Sequence, residues 1–274
     1  MPVNVWPCRL DQRHRMTPVH WIIQENQGDS TAVRRIVQAL ESDSHVPHLV
    51  WLNKNLDVPL IPDLPDDAPI VCHGQGFVTR APHHPRLKAG LFFDPETFRW
   101  EAFRSGWGGA VLSSDGRVMA LSAARDFLQN GATAFVRPDS DSKVFEGAVY
   151  DAFRLEAVTK QSAVPSATPV VVASPLNIEA EWRFFVVNRE IVGCSEYRRW
   201  GRPSSEGSVP HMAIDFAGDL ALRWSPADVY CLDLAASGDR LGVVEANCFN
   251  ASRFYSAVIE RVLRAVNTYV LSRQ

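Results

Sequence analysis

Three oxygen-bearing side chains near the end of the sequence have a spacing that suits one metal site. They are Asp233, Glu245 and Asn247. Apolar runs lead into Asp233 and up to Glu245, and Gly238 with Asp239 between them is typical of a turn, so the segment predicts a β-hairpin. Because side chains alternate faces along a strand, Glu245 and Asn247 point the same way, and the turn folds Asp233 back towards them.

Two carboxylates held this close repel each other unless a cation lies between them. Ligands that are all oxygen suit a hard ion such as Mg2+ or Mn2+. A surface hairpin with solvated acids is the alternative, because exposed charges are the norm. Val243, Val244 and Ala246 surround Glu245. They indicate a largely buried strand, which favours the metal site.

An earlier segment combines positive charge with a loop of small polar residues. A predicted strand ends at Arg137, the loop follows, and a further strand is expected from Lys143 to Phe145. The short side chains of Ser140 and Ser142 would let backbone N–H groups face an anion, with Arg137 and Lys143 on either side. An ordinary polar hairpin is the alternative interpretation.

A third segment places an arginine inside a predicted strand. The uninterrupted apolar run Pro169 to Ala173 indicates a strand buried on both faces, and a second strand is expected from Glu181 to Val187. Arg183 lies within the second strand, where an unpaired guanidinium is costly. A salt bridge with Glu181 or Glu179 is one interpretation, and a phosphate ligand is the other.

The elements that precede these segments predict a small α/β unit followed by less regular chain. Asp29 or Ser30 is a helix cap, and apolar residues follow it at helical spacing. Edge strands are expected at Leu91–Phe93 and at Glu101–Phe103. Short strands of the α/β unit are expected at Val19–Ile23, Leu49–Leu52 and Ile70–Cys72.

Composition limits the class of protein. The chain has 274 residues, 46% of them hydrophobic, and a net charge of −3, so a globular protein without a general nucleic-acid-binding charge is expected. Five cysteines without a C-x-x-C pair argue against a disulfide framework and favour the cytoplasm. No apolar run reaches the length of a membrane span, and His73, His83 and His84 are interpreted as ordinary polar residues rather than metal ligands.

The three segments in this order resemble the ATP-grasp superfamily, and more particularly a ligase-like clade similar to the enzymes that add glutamate to a ribosomal protein. The pattern consists of a strand ending in R-P with a small-residue loop, an apolar strand followed by E-x-R, and D-x(11)-E-x-N. It covers roughly residues 133–274. The resemblance implies an α+β fold in which two α/β subdomains hold a nucleotide between antiparallel sheets, behind a small N-terminal α/β domain. Domains are expected at residues 1–75 and 76–274.

The resemblance also implies a role for each motif residue. Arg137 would contact the nucleotide phosphates, with Ser140, Ser142 and Lys143 in the loop that covers them. Arg183 would contact the γ-phosphate or an acyl phosphate, and Glu181 would lie near the ribose or the phosphates. The adenine-contacting connector would be Val172, Ala173 and Ser174, and the ligands of Mg2+ or Mn2+ would be Asp233, Glu245 and Asn247.

The function implied is an ATP-dependent ligase that joins a carboxylate to an amine, with Arg183 and Lys143 as the catalytic cations. Its substrate would be a small molecule or a peptide, and neither a membrane nor a nucleic acid is expected as a partner. A kinase acting from the same site remains an alternative. A nucleotide-binding module without turnover is another, because Arg137 stands where a lysine is common.

Overall fold

Three β-sheets with helices packed on them make up the protein. The structure is a computed structural model, and it describes residues 17–53, 62–80, 84–140, 144–204 and 206–274. Strand order in the sheets is β2-β1-β3, β4-β7-β5-β6 and β10-β9-β8-β11-β12. The strands are β1 His20–Gln24, β2 Val46–Val50, β3 Ile70–His73, β4 Arg117–Ala120, β5 Ala134–Pro138, β6 Ala148–Tyr150, β7 Pro169–Ala173, β8 Ala180–Val187, β9 Glu190–Arg199, β10 Arg202–Pro203, β11 Val229–Ser237 and β12 Arg240–Cys248. The α-helices are α1 Ser30–Ser42, α2 Gln75–Arg80, α3 Trp100–Trp107, α4 Leu121–Phe127, α5 Ala152–Gln161, α6 His211–Arg223 and α7 Ile259–Ser272.

The N-terminal unit is a parallel sheet with β1 in the middle. Helix α1 connects β1 to β2, and the Asp29 side chain caps it by accepting a hydrogen bond from the backbone N–H of Ala32 at 3.0 Å. The predicted α/β unit is confirmed. The second strand lies at Val46–Val50 rather than Leu49–Leu52, because it pairs with β1 in register from residue 46 onwards. The predicted domain boundary after residue 75 stays a prediction.

The four-stranded sheet is antiparallel and carries α4 and α5 against it. Strand β7 is the predicted apolar strand, with four consecutive buried residues. The strand expected from Lys143 to Phe145 is wrong for the part that can be compared. Val144 and Phe145 are outside any strand, and the chain pairs again only at β6, while Lys143 lies outside the described residues. Phe145 is buried as a core side chain instead.

The five-stranded sheet is antiparallel and has a core on each face. Alternation along β8 explains both cores. Trp182 and Phe184 pack on one side, with residues of α3 and α6. Phe185 and Val187 pack on the other side, with residues of α1 and α7. The helix pattern predicted near the C-terminus is α7.

Two expected edge strands are wrong. Glu101–Phe103 belongs to α3, whose buried side chains Trp100, Phe103 and Trp107 recur at helical spacing. Gly106 permits this helix to pack closely, since a Cβ there would lie 2.3 Å from the Trp224 ring. Leu91–Phe93 forms no strand. Its backbone is held by a side chain instead, because Phe92 N–H donates to Asn250 Oδ1 at 2.7 Å.

The architecture is α+β, with two antiparallel sheets behind a small parallel one, as expected. Among the residues that the structure describes, no helix combines the length and the apolar character that a bilayer crossing requires.

Candidate active site

The β11–β12 hairpin brings the three predicted oxygen-bearing side chains together. Asp233 pairs directly with Glu245 across the two strands, and Asn247 follows two residues later on the same face. The Asn247 amide nitrogen donates to Asp233 Oδ2 at 2.9 Å and to Glu245 Oε1 at 3.0 Å. Local strand alternation is therefore sufficient to assemble two carboxylates and an amide.

Arg183 holds the first of these acids. Its Nε and Nη2 donate to Asp233 Oδ1 and Oδ2 at 2.8 and 2.6 Å, and both side chains are buried. The expected partner, Glu181 or Glu179, is wrong, because β8 pairs with β11 and places Arg183 directly opposite Asp233. Burial alone would lower the pKa of the guanidinium, but the attraction of Asp233 raises that pKa well above its ordinary value.

Arg137 reaches the second acid from the other antiparallel sheet. Its Nη1 lies 3.0 Å from Glu245 Oε2, and its Nε donates to the Pro138 carbonyl at 3.1 Å. The Arg137 side chain is 7% exposed and that of Glu245 is 31% exposed. The ion pair thus joins β5 to β12, and the carboxylate keeps access to the space between the sheets.

Glu181 lies beside this cluster in its own polar setting. Tyr197 Oη donates to Glu181 Oε2 at 2.7 Å, and Arg198 Nη1 lies 3.4 Å from Oε1. Burial raises the pKa of Glu181, while the hydrogen bond from Tyr197 and the charge of Arg198 act against that rise. Burial, followed by the charges of Asp233 and Glu181, raises the pKa of Tyr197 well above its usual value.

Two tyrosines that the sequence did not single out flank Arg183. The guanidinium carbon lies 5.7 Å from the ring centroid of Tyr197 and 5.3 Å from that of Tyr255, and the two rings stack 5.1 Å apart. Tyr255 has a positive φ of 50°, so its backbone is held in an uncommon conformation. No spacing rule connects positions 183, 197 and 255, because only the folded sheet brings them together.

A cleft of about 1000 Å3 opens over these residues. Ser140 and Ser174 line it, whereas Val172 and Ala173 are buried within β7 and are absent from its wall. The Ser174 backbone N–H donates to Asp115 Oδ2 at 3.0 Å. Ser142 and Lys143 lie outside the described residues. The other predicted residues on the wall are Arg137, Glu181, Arg183, Asp233, Glu245 and Asn247.

The N-terminal unit closes one side of the cleft, which the sequence did not predict. Gln27, Asp29, His73 and Gln75 line it there. Burial lowers the pKa of His73 to about 4, against a smaller opposite effect from the backbone of Ser252. The imidazole is therefore neutral at physiological pH. Within the described part of the chain, no three histidine, cysteine or acidic side chains form a metal-binding cluster.

The hairpin residues fit a hard divalent ion by the chemistry of their atoms. Two carboxylates and one amide are oxygen donors of the kind that Mg2+ and Mn2+ prefer. Glu245 is the acid with exposed surface on the cleft, while both oxygens of Asp233 accept hydrogen bonds from Arg183. A metal can therefore reach Glu245 directly, and Asp233 becomes a ligand when Arg183 turns to another anion.

Known structures share this fold. A RimK domain ATP-grasp protein from Sphaerobacter thermophilus is similar, with a TM-score of 0.62 and 17% identity, covering 92% of this chain and 99% of that chain. D-cycloserine synthetase DcsG has a TM-score of 0.58 and 13% identity, with coverage of 92% and 99%. D-alanine–D-alanine ligase from Bacillus anthracis, complexed with ATP, has a TM-score of 0.55 and 12% identity, with coverage of 94% and 98%.

The sequence itself points to the same superfamily. No curated protein matches it. The model for clade family 3 of the ATP-grasp domains matches residues 74–266, which is well over half of the chain. The predicted superfamily is confirmed, and the chain belongs to this clade family of the ATP-grasp domains.

Proposed function

We propose that the protein is an ATP-dependent ligase that joins a carboxylate to an amine. The observation that carries the proposal is the cluster of two arginines, two acids and an amide where the antiparallel sheets meet. Arg137 and Glu245 span the two sheets at 3.0 Å, and Arg183 holds Asp233 at 2.6 Å, all on the wall of one cleft. Phosphoryl transfer depends mainly on alignment and charge neutralisation, which such a cluster supplies.

The nucleotide would lie between the two antiparallel sheets. Arg137 and Arg183 would bind its phosphates, and the loop with Ser140, Ser142 and Lys143 would cover them. Guanidinium groups match phosphate oxygens with paired donors, so a phosphate competes directly with the acids that these arginines now hold. The adenine would lie at the connector of Val172, Ala173 and Ser174, with Glu181 near the ribose.

Glu245, Asn247 and Asp233 would hold Mg2+ or Mn2+. The ion would neutralise phosphate charge as it develops during transfer. In the structure each acid is paired with an arginine, so a nucleotide phosphate and a metal are expected to bind together. Each replaces one half of an existing ion pair, and no charge is left buried alone.

The reaction would proceed in two steps. A carboxylate oxygen of the first substrate attacks the γ-phosphorus of ATP, ADP leaves, and an acyl phosphate forms. The nitrogen of the amine then attacks the acyl carbon, inorganic phosphate leaves, and the nitrogen loses a proton. Arg183 and Lys143 would stabilise the negative charge on the transferred group in both steps.

Carboxylate oxygens labelled with 18O test this reaction. The common amino acids, labelled in their carboxyl groups, are incubated with ATP, Mg2+ and the wild-type protein, and the released phosphate is examined by mass spectrometry. We expect one 18O atom in the phosphate, because the acyl phosphate passes a carboxylate oxygen to phosphorus. Glu245→Gln should lose this product, whereas Glu190→Gln, an exposed acid away from the cleft, should keep it.

Unlabelled phosphate would contradict an acyl phosphate, and ADP formed without inorganic phosphate would favour a kinase. A binding module without turnover is the second candidate. The observation in its favour is that both acids are already neutralised by arginines, which satisfies the cluster without a metal. Tight nucleotide binding with no ADP formed would favour the module.

A further inference from the structure

The charged side chains on the cleft wall are paired with one conspicuous exception. Among the described arginines there, Arg137 pairs with Glu245, Arg183 with Asp233, and Arg198 with Glu181. Arg253 is exposed on the same wall and makes no ion pair or hydrogen bond with any described residue. It is the cation of the cleft that is available to a ligand without breaking a contact.

The loop that carries Arg253 is fixed on both sides of it. Ser252 is buried, and its hydroxyl donates to the Phe249 carbonyl at 2.8 Å. Phe254 is also buried and stacks on Phe185, with centroids 5.2 Å apart and an interplanar angle of 10°. Ser256 N–H donates to Ser195 Oγ at 3.1 Å. The backbone of Arg253 is thus positioned in advance, although its side chain is free to move.

Arg253 lies at the side of the cleft that the N-terminal unit closes. Phe254, the next residue, stacks on His73 at 5.7 Å and belongs to one apolar core with Ile36 of α1. Ile36, His73 and Arg253 all line the cleft. This side is separate in sequence from the Arg137 and Arg183 elements that would bind phosphates. A ligand group held by Arg253 would therefore belong to the second substrate rather than to the nucleotide.

The chemistry of this side favours a single carboxylate. A guanidinium presents paired N–H donors that match the two oxygens of a carboxylate. Asp29 also lines the cleft from the N-terminal unit, and its negative charge acts against a ligand with two negative charges. Asp29 is itself occupied as the cap of α1, so it does not neutralise Arg253.

Building on the ligase proposed above, we infer that Arg253 determines substrate specificity by binding a free carboxylate that does not react. The substrate class is then an amino acid, or a peptide with a free C-terminus, whose other group takes part in the ligation. An amide in place of that carboxylate would present an N–H group to the guanidinium and lose one acceptor oxygen together with the charge.

Binding measurements with matched ligand pairs test the inference. The common amino acids and their α-carboxamides are titrated, one at a time, into the full chain saturated with AMPPNP and Mg2+. We expect at least one free acid to bind, and its amide to bind at least about tenfold more weakly, as for a lost charged hydrogen bond. Arg253→Ala should weaken the acid to the level of the amide, and Arg253→Lys should retain part of the difference.

Arg35→Ala is the matched control, because Arg35 is exposed on α1 and lies outside the cleft. It should bind as the wild type does, and all variants should keep the affinity of the wild type for AMPPNP and Mg2+. The inference is overturned if no free acid binds, if acid and amide bind equally, or if Arg253→Ala still distinguishes them. Failure of the wild type to bind AMPPNP would instead contradict the proposed ligase.

Discussion

At the scale of residues, the two acids of the hairpin are neutralised by arginines from different places in the fold. Arg183 lies on the neighbouring strand of the same sheet as Asp233, and Arg137 approaches Glu245 from the other antiparallel sheet. The Arg183 pair is nearly inaccessible, whereas Glu245 keeps exposed surface. The two pairs therefore differ in role: the first maintains the buried sheet, and the second lies where ligands arrive.

Removal of one partner of the buried pair should be costly. Asp233→Ala would leave Arg183 charged and unpaired, so we expect the free energy of unfolding to fall by about 3–5 kcal/mol in urea denaturation. The double variant Arg183→Met with Asp233→Leu should recover most of that loss, because no buried charge remains. A loss below about 1 kcal/mol for Asp233→Ala would show that water or another group compensates Arg183.

At the scale of elements, predictions from local pattern succeeded and those that needed distant partners failed. The β11–β12 hairpin, the buried strand β7 and the cap of α1 follow from alternation, apolar runs and one aspartate. The partner of Arg183 lies fifty positions away, and no local rule identifies it. The same holds for Tyr197, Tyr255 and the N-terminal wall of the cleft. Helix α3 was missed because a three-residue run resembled a strand.

One buried amide connects the N-terminal unit to the end of β12. Asn250 is fully buried. Its amide nitrogen donates to the carbonyls of Cys72 and Gly90 at 2.6 and 2.8 Å, and its oxygen accepts from Phe92 N–H at 2.7 Å. Asn250→Ala would leave three buried backbone groups unpaired. We expect a loss of about 3 kcal/mol or more in unfolding free energy, measured by urea denaturation.

Asn177→Ala provides the control for that measurement, since Asn177 is exposed and makes no hydrogen bond within the described residues. It should change the unfolding free energy by less than about 0.5 kcal/mol. If Asn250→Ala were equally mild, the contact between the N-terminal unit and the rest of the chain would not depend on this amide.

At the scale of the whole molecule, stability should depend on pH through His73. Its pKa is lowered from 6.5 to about 4 in the folded protein, so folding excludes a proton that the unfolded chain binds. The stabilising contribution is complete above pH about 6.5 and is lost as the pH falls towards 4. We expect a loss on the order of 3 kcal/mol across that range, measured by urea denaturation.

His73→Phe keeps an aromatic ring among Trp21, Phe249 and Phe254 but cannot titrate. The difference in unfolding free energy between wild type and this variant should therefore change with pH over the same range. A difference that stays constant from pH 7 to 4 would show that His73 is already charged in the fold.

The three sheets meet at the cleft, and the account of function depends on what this cleft binds. Calorimetric titration of AMPPNP, with Mg2+ and with EDTA in its place, tests that claim most directly. We expect the wild type to bind AMPPNP at least about tenfold more tightly with Mg2+, and Glu245→Gln to lose that gain. No binding of AMPPNP, or an equal gain from Mg2+ in Glu245→Gln, would contradict the nucleotide and metal site proposed at the junction of the two antiparallel sheets.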